Sequence, residues 1–486
     1  MTSPLPSSPE SQGLSSRAVL RFLDGCQEAG LQLHAFELRR YGHTLAQGAW
    51  SPFRLDAPHA LYSVSKSFVS TAVGFAVSEG LFGLDDPVIR YFPEDAPPVV
   101  SAHLAAMRVR DLLTMSTGHA EDLMGPLYAL QPQPWTQTFL AQPVEHPPGT
   151  FFVYNSAATY MLAALVERRS GQRLLDYLET RLFAPLGITG ATWETNAAGE
   201  TIGGWGLRVP VGALAQLGQL YLQRGMWEGR QLLPAGWAEQ ATSAQVSNGD
   251  ADAPGANDGA QGYGFQFWRC RHGAYRADGA FGQFSVVMPE QQAVLAIVSS
   301  VDNMQGVMDQ IWTHLLPAFQ SEPLQADTEA VSELQARCAG LAIPVLTGEH
   351  SSPSAALLGG RSFTFGPNAW ELEQVSFGEI GTEVSLTLTY AHGRSEYRAG
   401  FGSWAEHSTS DPLNGTTLQP STQWAGTAAW TGPDTLQIHL LDLGDTRTLT
   451  LCLRPLDEGA RLEVEAGFVR AFRQAGALSM VGTRQG

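Results

Sequence analysis

Hydrophobic and polar residues alternate in two widely separated parts of this 486-residue chain, and that separation limits the folds open to it. Leu31–Leu38 alternates as a strand does, and Thr44–Trp50 returns after a turn at Gly42. Tyr263–Arg269, Gln283–Met288 and Ala293–Ser299 have the same character. Between them, from Leu81 to about Gly236, the periodicity is helical, most strongly in Ser156–Arg168 and Leu214–Leu222. Early and late strands around a helical middle predict an α+β fold. Its core is one antiparallel sheet flanked by helices, with a helical insertion over about 81–260. Residues 244–262, rich in Gly, Asp, Asn and Ala, read as a long flexible surface loop, and Val307–Phe319 as a closing helix.

Beyond residue 320 the character changes. Asp327–Leu341 reads as a helix, and 347–360 as a Ser/Pro/Gly-rich linker. From Arg361 the pattern is β, in runs such as Glu383–Tyr390, Gln423–Trp430 and Thr448–Leu453 separated by Gly, Asp and Pro turns. This predicts a C-terminal all-β antiparallel barrel or sandwich over 361–486, joined through 321–360 to a first domain of 1–320.

Composition excludes several function classes. A net charge of −18 argues against nucleic acid or an anionic membrane surface as partner. No run approaches the ~18 apolar residues of a membrane span. The first sixteen residues have neither a basic start nor an apolar stretch, so a cytoplasmic protein is expected. The four cysteines, at 26, 270, 338 and 452, have no paired spacing, so neither a disulfide framework nor a zinc site is expected.

Lysine usage is more specific. Of 29 Lys plus Arg residues 28 are arginine, so Lys66 is the only lysine (29 − 28 = 1). A guanidinium stays protonated at any workable pH, whereas a desolvated ammonium can give up its proton and act as a base. Ser63 stands three positions earlier, at the start of an apolar helix (Phe68, Val69, Ala72, Val73), where i and i+3 share a face. That is the layout of a serine nucleophile activated by lysine. Ser63 read alone is equally a helix N-cap. Tyr154, ahead of the helix starting at Ser156, is a candidate third member: beside a lysine cation a phenol can be held partly deprotonated and relay protons. It is also readable as an aromatic packed on that helix.

Ser63-Val-Ser-Lys66, Leu112-Leu-Thr-Met-Ser-Thr-Gly118, Pro148-Gly-Thr150 with Phe152-Val-Tyr154, Gly203-Gly-Trp-Gly-Leu207, Tyr263-Gly264 and Asp278-Gly-Ala-Phe-Gly-Gln283 follow one another in order. In these motifs, over about residues 10–320, the chain resembles the serine β-lactamase and penicillin-binding-protein superfamily, in its class C β-lactamase, esterase and D-aminopeptidase branch. The resemblance implies an acyl-enzyme on Ser63, with Lys66 and Tyr154 sharing the base role and no metal or organic cofactor. It implies an oxyanion hole of two backbone N–H groups, from Ser63 and near Phe281. The substrate would be a small ester or amide.

Two departures from the family pattern bear on substrate. The second motif, usually Tyr-x-Asn, is here Tyr154-Asn155-Ser156, so Ser156, or Asn155 after a local shift, is expected to bind substrate. The third motif usually has Lys or His before its glycine, and here Asp278 precedes Gly279. An aspartate there would repel a carboxylate, which favours an uncharged or amine-bearing substrate over a β-lactam; it is also readable as a turn residue paired to Arg271 or Arg276. The alternative reading is a penicillin-binding-like protein that is acylated without efficient turnover. His59, His119, His272, Asp111, Asp122, Tyr128, Trp135, Trp205 and Phe281 lie near the motifs in sequence, with structural roles as the simpler reading.

Overall fold

A computed structural model describes residues 8–129, 133–253, 255, 257–391, 393–410, 422–470 and 473–485, without the side chains of Tyr128 and 466–478. The chain forms two compact units, Met1–Ala49 with Pro58–Leu341, and Trp50–Ala57 with Ala342–Gly486.

The first unit is built on a six-stranded sheet of β1 (Leu33–Arg40), β2 (His43–Ala49), β3 (Trp268–Arg269), β4 (Tyr275–Gly279), β5 (Gln283–Met288) and β6 (Ala293–Ser299). The spatial order is β2-β1-β6-β5-β4-β3, antiparallel throughout. The first and last of these strands in chain order, β1 and β6, therefore pair at the centre of the sheet, where Phe36 of β1 faces Ile297 of β6 and, on its other side, Gly48 of β2. Every residue of β5 and β6 is buried, as expected for strands covered on both faces. The helix Val211–Leu222 packs on β1, β5 and β6. Gly218 makes the close approach possible: a Cβ there would stand 2.5 Å from Ser285 Oγ and 2.6 Å from Val294 Cγ1.

The α+β architecture matches the expectation, with differences in detail. Of Tyr263–Arg269 only Trp268–Arg269 is strand, because Gln266 takes a left-handed φ of 64° that breaks the pleat. Strand β4 is an addition to the sequence reading. The closing helix is divided into Met304–Gln310, a π-turn Ile311–Leu315 and a 3₁₀ turn Leu316–Ala318. The described part of 244–262 has no regular element, yet it is anchored: Asp258 is buried and accepts hydrogen bonds from Arg271, Gln305 and Trp312. The helix Thr328–Ala339, assigned to the connector by sequence, packs on Ser16–Glu28 and β2 in the first unit.

In the second unit, nine strands from Ser362–Thr364 to Arg473–Arg484 form a closed ring among the described residues. The ring is sealed by a parallel pairing of Gly393–Phe401 with Thr422–Trp430, and Ala405–Thr409 adds to the latter as a flap. Phe363, Val375, Leu388, Trp424, Ile438 and Leu451 fill the core. Sealing the ring removes edges that would otherwise pair with other chains. Among the described residues no helix is long and apolar enough to cross a membrane.

Candidate active site

The nucleophile segment begins in a 3₁₀ turn, Tyr62–Val64, and runs directly into the helix Ser65–Ser78. Twelve residues of that helix, Lys66 included, are buried, which its apolar sequence dictates. The Lys66 Nζ donates to Ser63 Oγ at 2.9 Å and to the Gly204 carbonyl at 2.7 Å. Lys66 is only 1% exposed, and this burial pushes its amine down to about 7, with the Asp122 and Asp278 carboxylates opposing. No guanidinium could adopt that neutral state.

Tyr154 closes the third side. Its ring centroid is 4.8 Å from Lys66 Nζ, and its hydroxyl is hydrogen-bonded to Ser63. It stacks on Trp268 at 5.4 Å and meets the Tyr263 ring edge-on at 6.3 Å. Burial pushes this phenol far above its ordinary range, and Asp278 adds to the effect. This direction, set first by burial, runs against the expectation of a partly deprotonated tyrosine.

Strand β4 carries the third motif to the nucleophile. A Cβ on Gly279 would lie 2.2 Å from the Leu61 carbonyl oxygen and 3.1 Å from the Ser63 nitrogen, so only glycine fits there. Phe281, in the following turn with φ 65°, packs its ring edge-on against Tyr62 at 5.3 Å. Asp278 is held by Arg276, whose Nε and Nη2 each lie 2.8 Å from its Oδ2. The pair is nearly buried, so much of the aspartate's charge is spent within the strand.

The second motif lies at the start of the helix Ser156–Ser170. Asn155 is fully buried and caps the helix Ser156–Ser170, accepting from the Ala157 N–H at 3.1 Å and the Leu123 N–H at 3.4 Å. The cap uses its Oδ1 alone, and its Nδ2 is buried without a hydrogen-bond partner among the described residues. Ser156 is half-buried at the helix start, where its N–H donates to Asp122 Oδ1 at 3.0 Å and its carbonyl oxygen abuts Gly204.

Asp122, read from sequence as a loop charge, belongs near the site. It has no arginine or histidine partner among the described residues and acts on both Lys66 and Tyr154. Its residue is exposed, while its carboxyl group is sheltered enough for desolvation to push it upward. Nothing in the spacing of Glu121-Asp122-Leu123 signals this, because the proximity arises from a loop folding onto a helix N-terminus.

The remaining candidates have structural contacts. His59 is buried against His34 at 3.0 Å, and His119 is buried against Thr117 at 2.8 Å, with desolvation pushing it down to about 4. His272 packs on Trp312 and Trp135 on Tyr160. Asp111 accepts from the Arg108 N–H, and the Trp205 carbonyl accepts from Trp193 Nε1. The Tyr128 side chain lies outside the described residues. Among the described residues no group of three or more His, Cys, Asp or Glu is arranged to hold a metal ion.

The beta-lactamase family model matches residues 34–317. The chain is 27% identical over 284 residues to the 6-aminohexanoate-dimer hydrolase of Paenarthrobacter ureafaciens, a match covering 55% of this chain and 72% of that protein. It is 29% identical over 168 residues to a D-aminopeptidase of Brucella anthropi, covering 32% of each. Among solved structures, EstCE1, described as a hydrolase with promiscuous acyltransferase activity, superimposes with a TM-score of 0.52 at 16% identity, over 61% of this chain and 99% of that one. At that identity the likeness is one of fold.

Proposed function

The chain belongs to the beta-lactamase family of serine hydrolases, and from that premise we propose that it cleaves small ester or amide substrates through an acyl-enzyme on Ser63. The observation that carries this reading is the buried, solitary Lys66, 2.9 Å from the serine hydroxyl and close to half-deprotonated at neutral pH.

In the acylation step Ser63 Oγ adds to the substrate carbonyl carbon as its proton passes to the neutral Lys66 amine. The oxyanion is met by the Ser63 N–H and by an N–H of the turn after Gly279, where Phe281 is the expected donor. Tyr154, protonated and hydrogen-bonded to Ser63, gives its proton to the leaving oxygen or nitrogen as the bond to the acyl carbon breaks, and is reprotonated from Lys66. Water then enters along the same path, losing its proton to the Lys66–Tyr154 pair, and hydrolyses the ester on Ser63.

An uncharged or amine-bearing substrate fits this site better than one bearing a carboxylate. Asp278 is largely satisfied by Arg276, so the discriminating charge is that of Asp122. Aromatic walls of Phe152, Tyr154, Tyr263 and Trp268 suit a cation or an apolar acyl group equally.

The alternative, acylation without turnover, draws on Asn155, whose side-chain oxygen is occupied within the protein by the Ala157 and Leu123 N–H groups. Multiple turnovers of a short-chain p-nitrophenyl ester, with a chromogenic cephalosporin slower, are the expected result. A stoichiometric burst that stops after one acyl group per Ser63 would select the alternative, and a cephalosporin rate rivalling the ester would overturn the substrate preference.

A further inference from the structure

Gln266 is 2% exposed and stands outside the three residues of the proposed mechanism, yet its hydrogen bonds run to the helix of Lys66, to the helix that follows Tyr154 and to the short helix Val109–Leu113. Its carbonyl oxygen accepts from Ser67 Oγ at 2.7 Å, on the helix of Lys66 and directly after it. Its side-chain Oε1 accepts from Thr159 Oγ1 at 2.7 Å, in the first turns of the helix that Tyr154 introduces. Its Nε2 donates to the carbonyls of Leu113 at 2.8 Å and Leu112 at 3.2 Å, and its own N–H also donates to Leu113.

The last contacts lead on to Tyr154. Leu112 and Leu113 end the short helix Val109–Leu113, whose terminal carbonyls have no partner within the helix. The chain then turns at Met115 with φ 56°. The Met115 carbonyl accepts from the Val153 N–H at 2.9 Å, and its Sδ accepts from the Asn155 N–H at 3.3 Å, so both neighbours of Tyr154 are tied to this turn.

Gln266 does this from a left-handed backbone, φ 64°, which glycine adopts freely and a side-chain-bearing residue resists. A turn needed only for the fold would be better served by glycine. The carboxamide is what glycine lacks, and it is the carboxamide that spans the gap between Thr159 and Leu113.

We propose that Gln266 is a positioning residue that fixes the distance between Lys66 and Tyr154, an inference that rests on reading those two with Ser63 as the catalytic machinery. The helix of Lys66 is held through the backbone of Gln266, and the segment of Tyr154 through its side chain. Loss of the amide leaves the first attachment and the backbone bond to Leu113, and removes the side-chain bonds to Thr159, Leu112 and Leu113.

The test compares wild type with Gln266→Gly, which suits the backbone and deletes the amide, using a short-chain p-nitrophenyl ester and a fluorophosphonate label on Ser63. The expected result is a folded variant whose acylation slows by ~10², as for an ångström-scale misplacement of a catalytic group. KM should change little, and the acid limb of the pH–rate profile should move as the Lys66 surroundings relax. Wild-type acylation rates with an unmoved profile would overturn the inference alone, whereas a wild type that is never acylated on Ser63 would overturn the catalytic reading and this inference with it. Should Gln266→Gly not fold, Thr159→Val against Thr159→Ser decides. Serine keeps the donor to Oε1 and is expected to retain activity while valine loses it, and equal activity in the two overturns the proposal.

Discussion

The Gly204 carbonyl accepts the second hydrogen bond of Lys66 Nζ at 2.7 Å, from a residue 138 positions away along the chain. When neutral, the amine can keep its donation to Gly204 and turn its lone pair to the Ser63 hydroxyl, which is what a base requires. Replacing Lys66 with Arg keeps the charge and removes the base. Ester hydrolysis is expected to fall by at least ~10², with the fold preserved by circular dichroism; near-full activity would remove lysine from the proton path.

The pH dependence follows from the depressed amine. Lys66 must be neutral to accept the serine proton, so kcat/KM is expected to rise as pH increases through about 7. The same shift acts on stability. Between about 7 and the ordinary lysine value of 10.5 the unfolded chain holds a proton that the folded one lacks, so stability rises with pH across that window. Thermal unfolding of wild type and Lys66→Met at several pH values isolates the effect, and the variant should lack this part of the slope.

Asp122 opposes the depression of Lys66, so Asp122→Asn should lower the amine further and move the acid limb of the rate profile to lower pH. The same change should raise KM for an ester with an ammonium on its acyl chain and leave a neutral ester of equal length nearly unaffected. An equal effect on both esters would assign Asp122 to the helix N-terminus alone.

Gly279 leaves no room for a side chain beside the nucleophile turn. In Gly279→Ala the methyl group must push against the Leu61 carbonyl and crowd the Ser63 nitrogen, displacing the nucleophile turn. A loss of ~10² in acylation is expected for a shift of that order, read by fluorophosphonate labelling rate beside a melting curve.

The elements of the hydrolase unit with strong periodicity were legible from sequence. Ser156–Ser170, Gln283–Met288 and Ala293–Ser299 lie where their patterns predict, because burial on one stripe or both faces leaves a direct imprint on residue choice. The Ser63–Lys66 contact was legible because helical spacing is local. Asp122 and Gln266 were not, since each reaches its partners through loops whose course depends on tertiary packing. The capping role of Asn155 was not legible either, because its side-chain oxygen serves backbone N–H groups that the helix start leaves unpaired. In the barrel, Leu372–Phe377 and Ala405–Thr409 escaped notice because short strands between polar turns have too few residues to establish a period.

Residues 50–57 lie in sequence between strand β2 and the nucleophile turn, yet they fold with the barrel unit, where the Ile343 N–H donates to the Ser51 carbonyl at 2.8 Å. The chain thus leaves the hydrolase unit and returns to it just before its reactive serine. Neither unit is a cassette that one cut can excise: ending the gene after residue 341 would strip 50–57 of their partners and leave a loose octapeptide just ahead of the turn that presents Ser63. Grafting or swapping experiments with this protein therefore need two junctions, or must carry the two units together.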